Sequence, residues 1–399
     1  MCPTMSFSKT EYQQRLAKLA RIMETMPVDL VIITQNPDLY YYSGSVAPLY
    51  LVAPKGQPPF LLARKAVERI TADAAHLELE FFQSTRDLKA ILAKRGVANA
   101  PRVGLALDGF SYASVQRWLG ILESDQLVDL TWELRAARMV KSDAELAIQT
   151  KAGANVANWA TICSRHFRPG MSELELSAAL EHQMRLDGHA GLVRCHREGI
   201  EVGLGVCSAG RNTLAGSKFD GVCVGAGMTA AVPYGASRKA IAPGEPVVLD
   251  YAFNLDGYHV DQTRMAVWGE PAPAIVKAYE AMRQVQAAAF ELMKPGVSWS
   301  FVYEQTLALA VEQGYELGYM GLGPEKVRFL GHGIGLELDE PPFIAPNQAA
   351  VLEAGMVIAI EPKVALPAVG VIGIEDTVVL REQGVERLTR CPSPLIVLG

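Results

Sequence analysis

No stretch of this sequence is apolar enough to cross a bilayer: no apolar run approaches the roughly 18 residues that a membrane helix requires. Basic excess is missing too. With 37 Lys and Arg against 43 Asp and Glu, the formal net charge is -6, and a mildly acidic chain lacks the basic face that binding to a phosphate backbone needs. Neither a membrane nor a nucleic acid is therefore expected as a partner. The six cysteines, Cys2, Cys163, Cys195, Cys207, Cys223 and Cys391, form no CxxC pair, which removes zinc knuckles and dithiol redox motifs. The first dozen residues are polar and carry no apolar signal segment. Reduced thiols and a cytoplasmic location are the expectation. Low-complexity linkers and repeats of solenoid length are also missing.

What remains is an ordinary globular composition, 50% apolar and 20% charged over 399 residues, long enough for two domains with real cores. Up to residue ~135, strand-like and helical stretches alternate. Helices are predicted over 11–26, 86–95 and 111–122, and strands over 29–34, 50–53, 59–63 and 103–107. That alternation implies a small α/β layer domain. From about Arg138 the pattern changes. Ser142 and Glu145 form a capping box that opens a helix predicted to run to about Phe167, and Ser172 with Glu175 opens another to about Leu186. Gly-rich, strand-like sequence follows, then helices over 274–293 and 298–313, then β-rich sequence from Arg328. Mixed strands with grouped helices imply an α+β domain.

The first chemical signal is Val247-Val248-Leu249-Asp250, an apolar run ending in an acid, followed by Asp256-Gly257 and then Asp261. Asp-Gly is a favoured two-residue hairpin turn. If it forms the loop, Leu255 faces Tyr258, Ala252 faces Asp261, and Asp250 lies diagonally from Asp261 on one face, with Cβ atoms at most about 7–8 Å apart. The same signature recurs in Val357-Ile358-Ala359-Ile360-Glu361 and in Val371-Ile372-Gly373-Ile374-Glu375, and a lone histidine sits in Gly331-His332-Gly333-Ile334-Gly335. Taken singly, the two aspartates also suit a capped turn, and the histidine also suits a packed, glycine-rich one. Three buried-looking strands each ending in a carboxylate are harder to read as solvated charge, because buried carboxylates are costly unless paired or metal-bound. Four carboxylates and one imidazole match two divalent ions in charge. The oxygen-rich donor set suits Mn²⁺ first, with Co²⁺, Fe²⁺ or Zn²⁺ also compatible. Two ions about 3.5–4 Å apart can share a hydroxide nucleophile and polarise a carbonyl.

These motifs, DY(x9)DQTR, GHGIGLELDEPP, GMVIAIEP and IED, resemble those of the pita-bread metallopeptidases, the group of prolidase, Xaa-Pro aminopeptidase and creatinase. The resemblance covers essentially the whole chain, and RMVKSDAEL is similar to the domain junction of those proteins. It implies a creatinase/prolidase-type α/β domain over 1–137 and a pita-bread α+β domain over 138–399. It implies a terminal ligand in Asp250, bridging ligands in Asp261 and Glu375, and the other ion's ligands in His332 and Glu361, with Glu361 also the general base. It further implies a metal-dependent hydrolase acting on Xaa-Pro dipeptides or peptide N-termini, and a homodimer.

Three positions depart from the family pattern. Tyr234 and Asp339 stand where histidines are usual, and Gly373 stands where an arginine is usual. Tyr234 and Asp339 either take over proton transfer and substrate binding, at different pKa values, or fill the pocket. His259 shares a pleat face with Asp261 and is either a substitute for a lost histidine or a packed residue. These departures support an alternative function, a metal-dependent lyase or C–N hydrolase acting on a small non-peptide substrate.

Overall fold

The computed structural model describes residues 6–47, 50–97, 102–196 and 201–399. The chain divides into two compact units, Met1–Arg138 and Met139–Gly399. Cys2 lies outside the described residues, and the other five cysteines are free thiols, four of them buried. No helix among the described residues is long and apolar enough to cross a membrane.

The first unit is an α/β layer. Its strands are β1 (Leu30–Ile33), β2 (Tyr50–Pro54), β3 (Phe60–Ala63), β4 (Glu78–Phe81), β5 (Arg102–Leu105) and β6 (Gln126–Asp129), in the spatial order β4-β3-β2-β1-β5-β6. The central strand β1 pairs antiparallel with β2 and parallel with β5. Residues of β1 are buried on both faces, which is why it reads as a continuous apolar run rather than an alternating one. The strands β4 and β6 were not anticipated. Both lie at the sheet edges and are largely polar, ELEF and QLVD, so they carry no apolar signature.

In the second unit, β7 (Gly205–Ala209), β8 (Pro246–Leu255), β9 (Tyr258–Trp268) and β17 (Ile396–Leu398) form one sheet in the order β17-β9-β8-β7. A second sheet has the order β11-β10-β12-β15-β16, from β10 (Gly331–Gly333), β11 (Glu340–Ile344), β12 (Val357–Ile360), β15 (Asp376–Arg381) and β16 (Gly384–Arg387). Between these, β13 (Lys363–Leu366) and β14 (Gly370–Gly373) pair as a separate two-stranded ribbon.

Helices Asp143–Asn155, Trp159–His166 and Glu173–Leu186 pack against the first of these sheets, where Trp159, Leu176 and Leu180 meet Leu249, Tyr251 and Phe253. Helices Pro273–Leu292 and Trp299–Glu312 share a core with Met265, Ile358 and Val378. Both predicted capping boxes are present. The single helix predicted up to Phe167 is in fact two. It breaks after Asn155, whose side-chain amide donates to Asp187 O at 2.8 Å, and the Val156 carbonyl accepts from Gln262 Nε2 at 3.4 Å. Tertiary hydrogen bonds take over where the helical ladder stops.

Candidate metal centre and its cavity

The β8–β9 hairpin has the predicted register: Leu255 pairs with Tyr258, Ala252 with Asp261, and Asp250 with Thr263. Asp256 and Gly257 have φ of 49° and 91°. Two consecutive positive φ values make the turn whose twist matches that of the strands, and Asn254 Oδ1 caps it by accepting from Gly257 N at 3.0 Å. With the register set, Asp250 and Asp261 share one face. His332 is delivered by β10. Glu361 follows the last residue of β12, and Glu375 lies between β14 and β15. The Glu375 backbone is tied to the hairpin: its N–H donates to Thr263 O at 3.2 Å, and its carbonyl accepts from Arg264 Nη1 at 2.7 Å. Arg264 also pairs with Asp376 at 2.6 Å, both fully buried. The arginine of DQTR thus fixes the strand end that carries the last glutamate.

The glycines flanking His332 serve the backbone rather than a ligand. A Cβ at Gly331 would lie 2.1 Å from Ala359 O, and one at Gly333 would lie 2.3 Å from Pro341 O. They let β10 run tightly between β12 and β11.

Ligand atoms of Asp261, His332 and Glu375 lie within 4.8 Å of one another. All three side chains are buried. The His332 Nδ1 contact with Gly333 O, at 3.1 Å, requires the proton on Nδ1, since a carbonyl only accepts. In the neutral ring this leaves the lone pair on Nε2, the tautomer that a metal needs, and Nε2 lies 3.7 Å from Glu361 Oε1. Glu375 Oε2 accepts from Thr263 Oγ1 at 2.7 Å, whereas the buried Oε1 has no hydrogen-bond partner. A buried carboxylate oxygen of this kind is costly unless a cation meets it. The trio therefore fits one divalent ion.

The Asp250 side of the cluster is different. Lys363, the first residue of β13, places its ammonium among the carboxylates: Nζ lies 2.5 Å from Glu361 Oε2, 3.1 Å from Asp250 Oδ2 and 3.4 Å from Glu375 Oε2. Its side chain is 2% exposed. Burial alone would favour the neutral amine, but Asp250, Glu361 and Glu375 together hold its pKa well above the usual lysine value. Burial and mutual repulsion act on the acids. Asp250 is pushed up to about 6, chiefly by burial, with Lys363 opposing and Glu375 reinforcing the shift. Asp261 is raised by burial and then by Glu375 and Asp250, and Glu375 is raised by burial despite Lys363. A bound divalent cation reverses these shifts by favouring the ionised form. Lys363 was not singled out from the sequence. Its signal was available: a lone lysine opening the run Lys363-Val364-Ala365-Leu366 directly after a strand that ends in Glu361-Pro362.

A cavity of about 300 Å³ opens on the cluster. Asp250, Asp261, His332, Glu361, Lys363 and Glu375 all line it, as do Tyr234 and Asp339. Asp339 Oδ1 accepts from His196 N at 3.5 Å, and His196 Nδ1 meets Glu337 Oε1 at 2.9 Å. His259 does not line the cavity. It is fully buried, with Nδ1 on Gly335 O at 2.9 Å and Nε2 near Arg194 N and Asn254 Nδ2 at 3.2 and 3.1 Å. Both ring nitrogens are engaged, so His259 is a packed residue rather than a substitute catalytic one. Gly373 pairs with Lys363 across the β13–β14 ribbon. Behind the cluster, Lys141 of the RMVKSDAEL segment pairs with Glu340 at 2.8 Å, each 1% exposed, bracing the start of β11.

The second unit matches the profile of metallopeptidase family M24 over residues 148–382, and residues 15–140 match the creatinase/prolidase N-terminal domain. The Xaa-Pro dipeptidase of Pyrococcus furiosus is 28% identical over 390 residues, covering 96% of this chain and 100% of that protein. The Xaa-Pro dipeptidase of Lactobacillus delbrueckii subsp. lactis is 30% identical over 394 residues, covering 96% of this chain and 98% of that protein. Among solved structures, dipeptidase PepE of Mycobacterium ulcerans superposes with a TM-score of 0.80 at 25% identity, covering 98% of this chain and 99% of that one. The Xaa-Pro dipeptidase of Bacillus anthracis, at 23% identity and a TM-score of 0.82 over 97% of this chain and 100% of that one, shares the fold. The M24 profile spans more than half of the sequence, and the chain belongs to metallopeptidase family M24, as a pita-bread hydrolase with a creatinase/prolidase-type N-terminal domain.

Proposed function

We propose that this hydrolase is a divalent-metal-dependent dipeptidase that cleaves Xaa-Pro peptides. The observation that carries the reading is the convergence of Asp261, His332 and Glu375 within 4.8 Å at a cavity of about 300 Å³, sized for a small molecule or a dipeptide. The relatives named Xaa-Pro dipeptidase support the choice of substrate. A bound ion supplies Lewis acidity toward the scissile carbonyl and acidifies water. Mn²⁺ is the ion we assign, on the oxygen-rich donor set. Glu361, beside His332 and facing the cavity, takes up the proton released during attack. Tyr234 offers a hydroxyl and Asp339 a carboxylate to the substrate, in place of two imidazoles. The protein acts in the cytoplasm as a homodimer.

The test is turnover of an Xaa-Pro dipeptide panel, with Xaa-Ala controls, after loading with Mn²⁺. Release of proline from Xaa-Pro alone, falling roughly 100-fold or more in E361Q as expected for a general base, supports the reading. No turnover by the metal-loaded protein across the panel would sink it. That result would favour a second reading, a C–N hydrolase or lyase on a small non-peptide substrate. A specific observation supports this alternative: Lys363 puts a fixed cation among the acids of the cavity, where it can hold an anionic substrate group.

A further inference from the structure

We propose that the Lys363 ammonium takes the place of one of the two metal ions, so that this chain binds a single divalent ion, at Asp261, His332 and Glu375. The inference rests on the metal-dependent reading above and concerns how many ions that centre holds. Its first support is position. A second ion would need Asp250, one of the two carboxylates outside the trio, together with a shared glutamate. Asp250 Oδ2 and Glu375 Oε2 are the oxygens that Nζ reaches, at 3.1 and 3.4 Å, with Glu361 Oε2 at 2.5 Å. An ion ligated there, at the roughly 2.0–2.6 Å of metal–oxygen bonds, would lie against the ammonium. Cation would face cation in an interior that screens charge weakly.

The second support is the division of labour within Glu375. Its Oε2 is taken by Thr263 and approached by Lys363, while the buried Oε1 is left without a partner. One oxygen serves the ammonium side of the centre and the other remains for one ion. Glu361 divides in the same way, with Oε2 on Lys363 and Oε1 on the His332 side.

The ribbon is tight at this point. Lys363 pairs with Gly373, and a Cβ at position 373 would lie 2.4 Å from Lys363 Cγ, 2.7 Å from Pro362 O and 2.8 Å from Lys363 Cα. Glycine at 373 lets the backbone that carries Lys363 approach closely, which fixes where the lysine stem starts.

The test measures metal content and the Mn²⁺ electron paramagnetic resonance spectrum of the full-length protein, stripped with chelator, reloaded with Mn²⁺ and desalted. The expected result is about one ion per chain with the six-line spectrum of an isolated ion. K363G is expected to take up about two, with a spin-coupled spectrum, and circular dichroism checks that it is folded. D250N offers a second measurement that leaves the lysine in place: it is expected to keep its single ion, whereas D261N loses it. Two ions in the unmodified chain, one ion in folded K363G, or loss of the ion in D250N would each overturn the lysine assignment while leaving a metal-dependent hydrolase standing. No ion in the unmodified chain would overturn both.

Discussion

Thr263 shows how much of this centre depends on residues that do not line its cavity. Its hydroxyl donates to Glu375 Oε2 at 2.7 Å, fixing which oxygen of that carboxylate is committed. Groups that orient metal ligands are typically worth 10–100-fold in metal affinity. T263A is therefore expected to weaken Mn²⁺ binding by about that factor in titration calorimetry, while T263S, which keeps the hydroxyl, retains most of it. Equal weakening in both variants would assign Thr263 to packing instead. His259 makes a different prediction. Burial lowers its pKa from 6.5 to about 4, so the unfolded chain takes up a proton that the folded chain refuses. Its contribution is intact above about pH 6.5 and is lost as the pH falls toward 4, by at most about 3 kcal/mol. Comparing the pH dependence of unfolding in the original chain and H259N, at equal metal loading, cancels the opposing contribution of the acids. A flatter profile in H259N over that window is the expected outcome.

At the scale of single elements, the hairpin was legible and the ribbon was not, for a physical reason. Hairpin register follows from a local rule: Asp256-Gly257 specifies the turn, and period-two alternation does the rest. That was enough to place Asp250 and Asp261 on one face. The turn itself is testable. Gly257 has φ of 91°, a region that a Cβ disfavours, so G257A is expected to cost about 1 kcal/mol of stability. Because the register sets the distance between the two aspartates, it is also expected to weaken Mn²⁺ uptake; an unfolding curve and a metal titration on the same sample check both. The β13–β14 ribbon obeys no comparable local rule. Its strands are short, it pairs with neither large sheet, and the register of Lys363 on Gly373 reflects a close backbone approach that no periodicity encodes. The lysine that reshapes the metal centre was therefore missed, although the glutamates on either side of the ribbon were found. The fate of His259 was equally out of reach. Its partners, Gly335 O and Arg194 N, are 76 and 65 residues away in sequence, and only the fold shows that both ring nitrogens are engaged.

For the whole molecule, the change from alternating to grouped elements near Arg138 was readable because layer architecture follows from the order of elements. The break after Asn155 was not, since long-range hydrogen bonds decide it. The metal centre ties distant parts of the second unit together. Its candidate ligands come from the hairpin, from β10 and from the segments flanking the ribbon, which span residues 250–375. In the absence of an ion, Asp250, Asp261 and Glu375 are acids whose ionisation burial resists. An ion that binds the folded form and not the unfolded chain stabilises the fold by about 2.7 kcal/mol at a free concentration 100 times Kd. For a unit of this size, each kcal/mol raises Tm by roughly 2–4 °C. Replacing chelator with Mn²⁺ is thus expected to raise the Tm of the second unit by roughly 5–10 °C. Hydrogen exchange locates the effect: protection is expected to increase in β8–β9, in β10 and around Glu361 and Glu375, since these are the backbones that the ligands anchor. In K363G, where the ammonium no longer neutralises part of the acidic charge, the chelated protein is expected to be less stable and the Mn²⁺-induced rise larger. An unchanged Tm interval in K363G would mean that the ammonium carries none of the charge balance of the centre.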